Sequence, residues 1–265
     1  MNFHHHLHFG AFEVSPGWWL VAISYVLYFV AQLLMVLHGF RLKSYGMPLL
    51  SSAMLLAIAF ACVIGPHTSQ SHLFYDASKW NLVVVWVASF ALQALIFAQY
   101  LRWGTRHPHR HRLLGQYFHP LAWASLLLAF AFVWLFIVFY QDYYVNEIFP
   151  IATLLMAVGY VGTLYTRVRL RGLSVGVAWI YTVAIAFLYL GTALGDMSQP
   201  FPSATHGYGL IYFIWALTVV LMAAYSVELG RRRHELREAW DAAGRPEGRG
   251  RTGSGSGRGA LEAGS

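Results

Sequence analysis

Charge is what this chain lacks most. Only 11% of its 265 residues are charged, where a soluble domain carries about a quarter. A soluble globular enzyme is therefore the wrong starting expectation. Acids are scarcer than bases, 11 against 18, so any acid–base chemistry draws on a short list. The one cysteine, Cys62, excludes an internal disulfide, a cysteine-ligated zinc site and an iron–sulfur cluster. Lysine is nearly absent. Lys43 and Lys79 both fall outside the apolar runs, which excludes a retinal Schiff base. Residues 1–17 contain no Lys or Arg, so they lack the basic start of a secretory signal. The high polarity of a disordered chain is also missing over most of the length.

Apolar residues are abundant, at 58%. They gather into seven blocks, near 18–40, 47–65, 81–101, 120–140, 149–166, 174–195 and 208–229. Each is close to the roughly 20 residues that cross a hydrocarbon core about 30 Å thick as a helix. Transmembrane strands would be half as long and would alternate polar with apolar, and these blocks do not. A helix also satisfies its own backbone in lipid. The expected fold is an all-α membrane protein, a seven-transmembrane helix bundle over 18–230. An extracytoplasmic segment, 1–17, precedes it, and a basic tail, 231–265, follows.

The basic residues set the orientation. Alternate loops and the C-terminal tail hold 17 of the 18 Lys and Arg, and the other loops hold only Lys79. The positive-inside rule then places the N-terminus outside and the C-terminus in the cytoplasm. In a bacterium this would be the inner membrane. The pI near 9.6 needs no nucleic-acid partner, because cationic loops facing anionic lipid account for it. His4, His5, His6 and His8 form an N-terminal cluster open to a metal or a vector-derived reading. The tail is helix-compatible to about Ala243, and Gly, Ser and Arg dominate beyond it, as in a flexible linker.

Ionisable groups inside a membrane mark function by default, and the blocks hold almost none. No histidine pair spans two helices at matching depth, so haem is unsupported and no cofactor is expected. His38, near the inner end of the first helix, reads as a side chain reaching for the interface. The polar set is amide and hydroxyl: Ser24, Gln32, Gln93, Gln99, Thr163, Thr182 and Thr218. Interhelical hydrogen bonding, about 0.6 kcal/mol each, is their ordinary role. Gln93 lies near the middle of the third helix. Gly172 with Gly176, and Gly191 with Gly195, have the small-xxx-small spacing of close helix contacts. Aromatics are frequent, at 17%. Those at block ends suit an interfacial belt. Deeper ones, among them Tyr25, Trp86, Phe90, Tyr189 and Trp215, are candidates with Gln93 to line a substrate pocket. Aromatic faces there would stabilise a cation without a counter-charge.

Asp142, Glu147 and Asp196 sit in loops at the outer face. Solvated loop charge is their plain reading, and a proton source at an outer mouth is the functional one.

The first inner loop runs Lys43-Ser44-Tyr45-Gly46-Met47-Pro48-Leu49-Leu50. Gly46 allows a tight turn there and Pro48 suits a helix start. This string resembles the loop between helices 1 and 2 of the integral-membrane terpene cyclases of fungal meroterpenoid and indole-diterpene pathways and their bacterial relatives. The stretch Tyr100-Leu101-Arg102-Trp103-Gly104 is a weaker echo of the end of their third helix. The resemblance implies a compact seven-helix enzyme on a prenylated substrate. A carboxylic acid would protonate an alkene or epoxide, and aromatic side chains would shield the carbocation during ring closure. In the family the proton-handling groups lie in helices 2, 3 and 7. Counted from the shared motifs, those positions are Leu55 and Ala59, Gln93 and Met222 in this chain. None is an acid, and an amide cannot protonate an alkene. Catalysis would then fall to Asp142, Glu147 or Asp196, all near the outer interface. The alternatives are a non-enzymatic seven-helix protein binding a lipid or isoprenoid, as sensor, carrier or partner subunit, and a small-solute transporter. Transporters usually carry paired broken helices, which this sequence does not display.

Overall fold

Long apolar runs can satisfy their peptide groups in lipid only as helices, and the observed elements follow those runs closely. The computed structural model describes residues 7–9, 12–14, 16–68, 80–106, 116–140, 148–166, 170, 172–194 and 209–242. Among them are seven helices: α1 (Pro16–Leu42), α2 (Leu49–Thr68), α3 (Trp80–Trp103), α4 (Phe118–Tyr140), α5 (Ile148–Thr166), α6 (Val175–Leu194) and α7 (Gly209–Ala242). A single 3₁₀ turn, Gly104–Arg106, continues α3. Two three-residue strands, β1 (Leu7–Phe9) and β2 (Phe12–Val14), pair antiparallel ahead of α1. The apolar-block reading did not anticipate that hairpin, because it is short and polar in part.

Six helices are long and apolar enough to cross a membrane, α2 being shorter over its described apolar part, Leu49–Ile64. The chain is accordingly a multi-pass membrane protein by length and composition. Helix α2 is instead the most enclosed element, with every residue from Ser51 to Ala59 buried. It packs on α3, α4 and α5. The remaining contacts close a ring in the order α1, α3, α2, α5, α7, α6, with α4 outside against α2. Helix α4 presents large apolar side chains outward, Phe139 at 77% and Leu127 at 70% exposure. In water such a face would be costly, whereas lipid tails solvate it as well as a protein core does.

Specific contacts fix helix direction. Ser24 donates to the Ala184 carbonyl at 2.7 Å, and Gly191 faces the carbonyl of Gly17. The start of α1 therefore lies beside the end of α6. Gln99 donates to the Val36 carbonyl at 2.7 Å, and Phe40 meets Trp103 edge-on, so α1 and α3 run parallel. Arg232 reaches the Leu164 carbonyl, making α5 and α7 parallel too. The ends of α1, α3 and α5 and the basic part of α7 thus share one end of the bundle, called here the basic end. Tyr28 projects into the ring and touches Tyr181 of α6 and Phe149 of α5 through ring edges, at 5.3 and 6.1 Å.

Several local expectations change. Thr163, Thr182 and Thr218 bond the carbonyl four residues back, so the hydroxyl is satisfied within its own helix. Only Thr182 also reaches across, to Ser226 at 3.3 Å. Gly191 makes a close crossing, but Gly176 faces open space apart from its own Ser174, and Gly172 is a loop residue. Gly195 lies outside the described residues. Helix α7 runs on through the first part of the basic tail to Ala242, where the sequence was helix-compatible to about Ala243. Ion pairs at helical spacing, Arg232 with Glu228 at 2.8 Å and Arg231 with Glu235 at 3.0 Å, carry it past the apolar run.

Candidate functional site

The basic end is organised by how α1 stops. The Ser44 N–H bonds the Gly39 carbonyl at 3.0 Å, and the Lys43 N–H bonds Phe40 at 3.4 Å. With Lys43 at φ 50°, this is the two-bond Schellman termination, with lysine where glycine is usual. It turns the chain inward, and Ser44, Tyr45, Gly46, Met47 and Pro48 are all buried. The Pro48 carbonyl then accepts the first bond of α2, from the Ser52 N–H at 3.0 Å. Pro48 is thus the residue before the helix, one step earlier than its expected place in the first turn.

A second loop interlocks with this one. Gly172 has φ +85°, and a Cβ there would meet the Ser44 side chain and, at 3.1 Å, the Tyr45 carbonyl. A Cβ on Gly46 would lie 2.7 Å from Met35 Cγ and 3.3 Å from the Gly172 carbonyl. Ser174 follows as the cap of α6. Its carbonyl accepts from the Ala178 N–H, and its Oγ accepts from the Val177 N–H at 3.5 Å. The extension of α7 fastens the arrangement. Arg233 donates to the Leu173 carbonyl, and Arg232 donates to Leu164 at 2.8 Å while its guanidinium lies 4.8 Å from the centre of the Tyr165 ring. Cations suit that position, the carbonyl end of α5.

Between these pieces is a small open-mouthed cavity that encloses about 10 Å³, close to the space one water needs. Its polar lining is His38 of α1, Tyr160 of α5, Tyr225 of α7 and Ser174, with Met35 and Gly172 beside them. The His38 Nδ1 atom is buried and has no hydrogen-bond partner. The Tyr160 hydroxyl is directed at Met35 Sδ, 3.8 Å away, and the Tyr160 and Tyr225 rings lie 4.9 Å apart. No carboxylate is among the described lining residues. The nearest along α7, Glu228, is bound by Arg231 and Arg232, both at 2.8 Å. The cavity can offer hydrogen bonds from imidazole and hydroxyl groups. The first-turn N–H groups of α6 also sit at its edge, and such groups have no partner within their own helix.

His38, expected to reach for the interface, is half-buried and lines this open-mouthed space at the basic end. Ser174 and Tyr225 were not singled out. The sequence signal for them is indirect: two loop glycines, Gly46 and Gly172, on the same end of the bundle.

The expected pocket residues fall elsewhere, at three separate helix contacts. Tyr25 meets Trp86 edge-on at 6.3 Å between α1 and α3, and Tyr25 is itself 37% exposed on the bundle exterior. Phe90 packs on Phe60, which packs on Phe130, joining α3, α2 and α4. Tyr189, Tyr212 and Trp215 cluster between α6 and α7 at 5.8–6.2 Å, with the Trp215 Nε1 buried and unpartnered. None of them lines the cavity. Gln93 is 1% exposed in the core, and neither atom of its amide has a hydrogen-bond partner. Ala59 and Met222 are equally buried. Asp142, Glu147, Asp196, His4, His5 and His6 lie outside the described residues, and His8 stands opposite Glu13 in the β1–β2 pair. Among the described residues no group of three or more His, Cys, Asp or Glu could hold a metal ion. Compared with family models, with curated proteins and with solved structures, the chain finds no match.

Proposed function

We propose that this protein crosses the membrane seven times, with its N-terminus outside, and binds an isoprenoid lipid without converting it. The cationic loops favour that orientation, and α2, 20 residues from Leu49 to Thr68, is long enough to serve as the remaining span. The observation that carries the binding reading is the size and chemistry of the cavity. Pockets that engulf a whole small molecule run to roughly 300–1,000 Å³. The present space encloses only about 10 Å³, room for a single hydroxyl or water, and leaves no room for a folded prenyl chain. A cyclase must enclose the reacting chain and keep water from its carbocation. Here the chain of the ligand would lie along the lipid-facing helices and only its polar end would enter. The described lining supplies hydrogen bonds from imidazole and hydroxyl groups and holds no carboxylate. The isoprenoid class itself rests on the resemblance of the Lys43–Leu50 loop.

Purified protein in neutral detergent, titrated with farnesyl- and geranylgeranyl-bearing aromatics, tests this. Thermal stabilisation with full recovery of the ligand is expected, and absence of any stabilisation would remove the assignment.

A protonation-initiated terpene cyclase is the second reading. One observation favours it. The Tyr25–Trp86 and Tyr189–Tyr212–Trp215 clusters lie toward the end opposite the basic one, and the positive-inside reading of the sequence assigns the loops with Asp142, Glu147 and Asp196 to that side. It requires an isomeric product, lost when the responsible acid becomes its amide. Unchanged turnover in D142N, E147Q and D196N would eliminate those three as donors.

A further inference from the structure

We infer that the middle of the ring binds ordered water, held by Gln32 of α1, Ser89 and Gln93 of α3 and Tyr181 of α6. The Ser89 Oγ donates to the Gln32 Oε1 at 3.5 Å. Gln93 follows Ser89 by one turn, on the same face of α3. The Tyr25–Trp86 and Gln99–Val36 contacts, one on either side, set Gln32 level with Gln93. Tyr28, one turn before Gln32, lies within reach of the Gln32 amide and meets Tyr181 edge-on at 5.3 Å. Polar groups from three helices thus gather at one depth. None of them lines the space at the basic end.

Hydrogen bonding among these groups is incomplete. Gln32 and Tyr181 are 0% exposed and Gln93 is 1% exposed. The Gln32 Nε2, both amide atoms of Gln93 and the Tyr181 hydroxyl have no partner. Turning the amides over does not repair this. Both ends of Gln93 are unpaired, and turning Gln32 only exchanges which of its atoms faces Ser89. A buried amide or hydroxyl left dry gives up its bonds to water for nothing in return, and the lipid around the bundle offers none. Proteins close such gaps with buried water, which makes about three hydrogen bonds to groups of this kind. The complement is suitable. The Gln32 and Gln93 Nε2 atoms donate, the Gln93 Oε1 accepts and the Tyr181 hydroxyl does either. Water at this depth has a chemical consequence. It would capture a carbocation formed beside Gln93, so the site supports binding without conversion by a route separate from the basic-end space.

The test is X-ray radiolytic footprinting of the full chain in neutral detergent, read by mass spectrometry. Radiolysis of a bound water releases a hydroxyl radical beside the side chains that hold it. Tyr181 should therefore gain oxygen although no surface of it is exposed, and a scavenger in the bulk solvent should suppress labelling of the exposed Tyr117 far more than that of Tyr181. After brief transfer into H₂¹⁸O, the oxygen on Tyr181 should carry the heavy isotope later than that on Tyr117. Q93L and Q32L remove the partners of the water, so each should lower Tyr181 labelling severalfold and leave Tyr117 unchanged. Thermal melts establish which variants fold. An unmodified Tyr181 in the parent protein would overturn the inference whether or not the variants fold. Tyr181 labelling unchanged in folded Q93L and Q32L, or suppressed by the scavenger as fully as that of Tyr117, would overturn it as well.

Discussion

Two glycines four residues apart, Gly172 and Gly176, should respond to alanine with opposite signs. At Gly172 the backbone has φ +85°, where an L side chain is strained, and the added methyl would strike Ser44 and the Tyr45 carbonyl. The backbone strain costs about 1–2 kcal/mol. Overpacking in a filled site adds about 1–3 kcal/mol. The neighbours cannot yield easily, because Ser44 and Tyr45 are fixed by the termination of α1 and Leu173 by Arg233. The expected loss is therefore about 2–5 kcal/mol. At about 2–4 °C per kcal/mol for a domain of this size, G172A should lower Tm by roughly 5–15 °C. Gly176 is helical, and a Cβ there has only the Ser174 Oγ nearby, at 3.9 Å. Alanine removes backbone freedom from the unfolded chain, so G176A should stabilise by up to about 1 kcal/mol. Differential scanning fluorimetry of both variants in one detergent reads the comparison. If G172A melts with the parent protein, or if both variants shift the same way by similar amounts, the two loops do not interlock as described.

Three further outcomes follow from the same geometry. K43G should raise stability by about 1 kcal/mol, because glycine occupies the left-handed position of the Schellman termination without strain; a lower Tm would argue against that φ. G191A should destabilise by about 1–3 kcal/mol. Its Cβ would approach the Gly17 carbonyl to 2.7 Å and the Val21 N to 2.8 Å, and backbone cannot rotate away as a side chain can. A neutral melt would mean that α1 and α6 are further apart. Q99A should cost about 0.6–1.7 kcal/mol through its bond to Val36, measured by the same melts, with no change expected in ligand affinity.

The helices were legible because run length in lipid leaves little choice. The block expected at 149–166 is observed as Ile148–Thr166, and that expected at 81–101 as Trp80–Trp103. What composition could not tell was which helix goes inside. Helices α2 and α4 are both apolar on every side, yet α2 is enclosed and α4 lies at the edge. Water would bury both, but lipid is indifferent between them, so shape decides. Small side chains do it in α2: Ser51, Ser52, Ala53, Ala57 and Ala59 let neighbouring helices approach, whereas Trp123, Trp134 and Phe139 of α4 face outward. The facing of the aromatics was hidden for a related reason. Depth along a helix can be counted, but the side it faces cannot be read when all sides are apolar. Tyr25 was therefore indistinguishable from Tyr28, although only Tyr28 enters the ring. The cavity depends on two loops meeting from distant parts of the chain, and only Gly46 and Gly172 hinted at that.

Deuterium incorporation tests the central claim, binding without conversion, most directly. The protein would be incubated in D₂O with a farnesylated or geranylgeranylated aromatic and with the corresponding epoxide, and the recovered ligand examined by chromatography and mass spectrometry. A cyclisation begun by protonating the alkene must place one solvent-derived hydrogen isotope on carbon, whereas one begun at the epoxide protonates oxygen and shows as an isomer of changed retention alone. Binding without conversion predicts a raised Tm and a ligand recovered with its retention and isotope pattern unchanged. An isomer of altered retention, carrying deuterium on carbon when it comes from the alkene, formed by the parent protein and absent from D142N, E147Q or D196N, would contradict it.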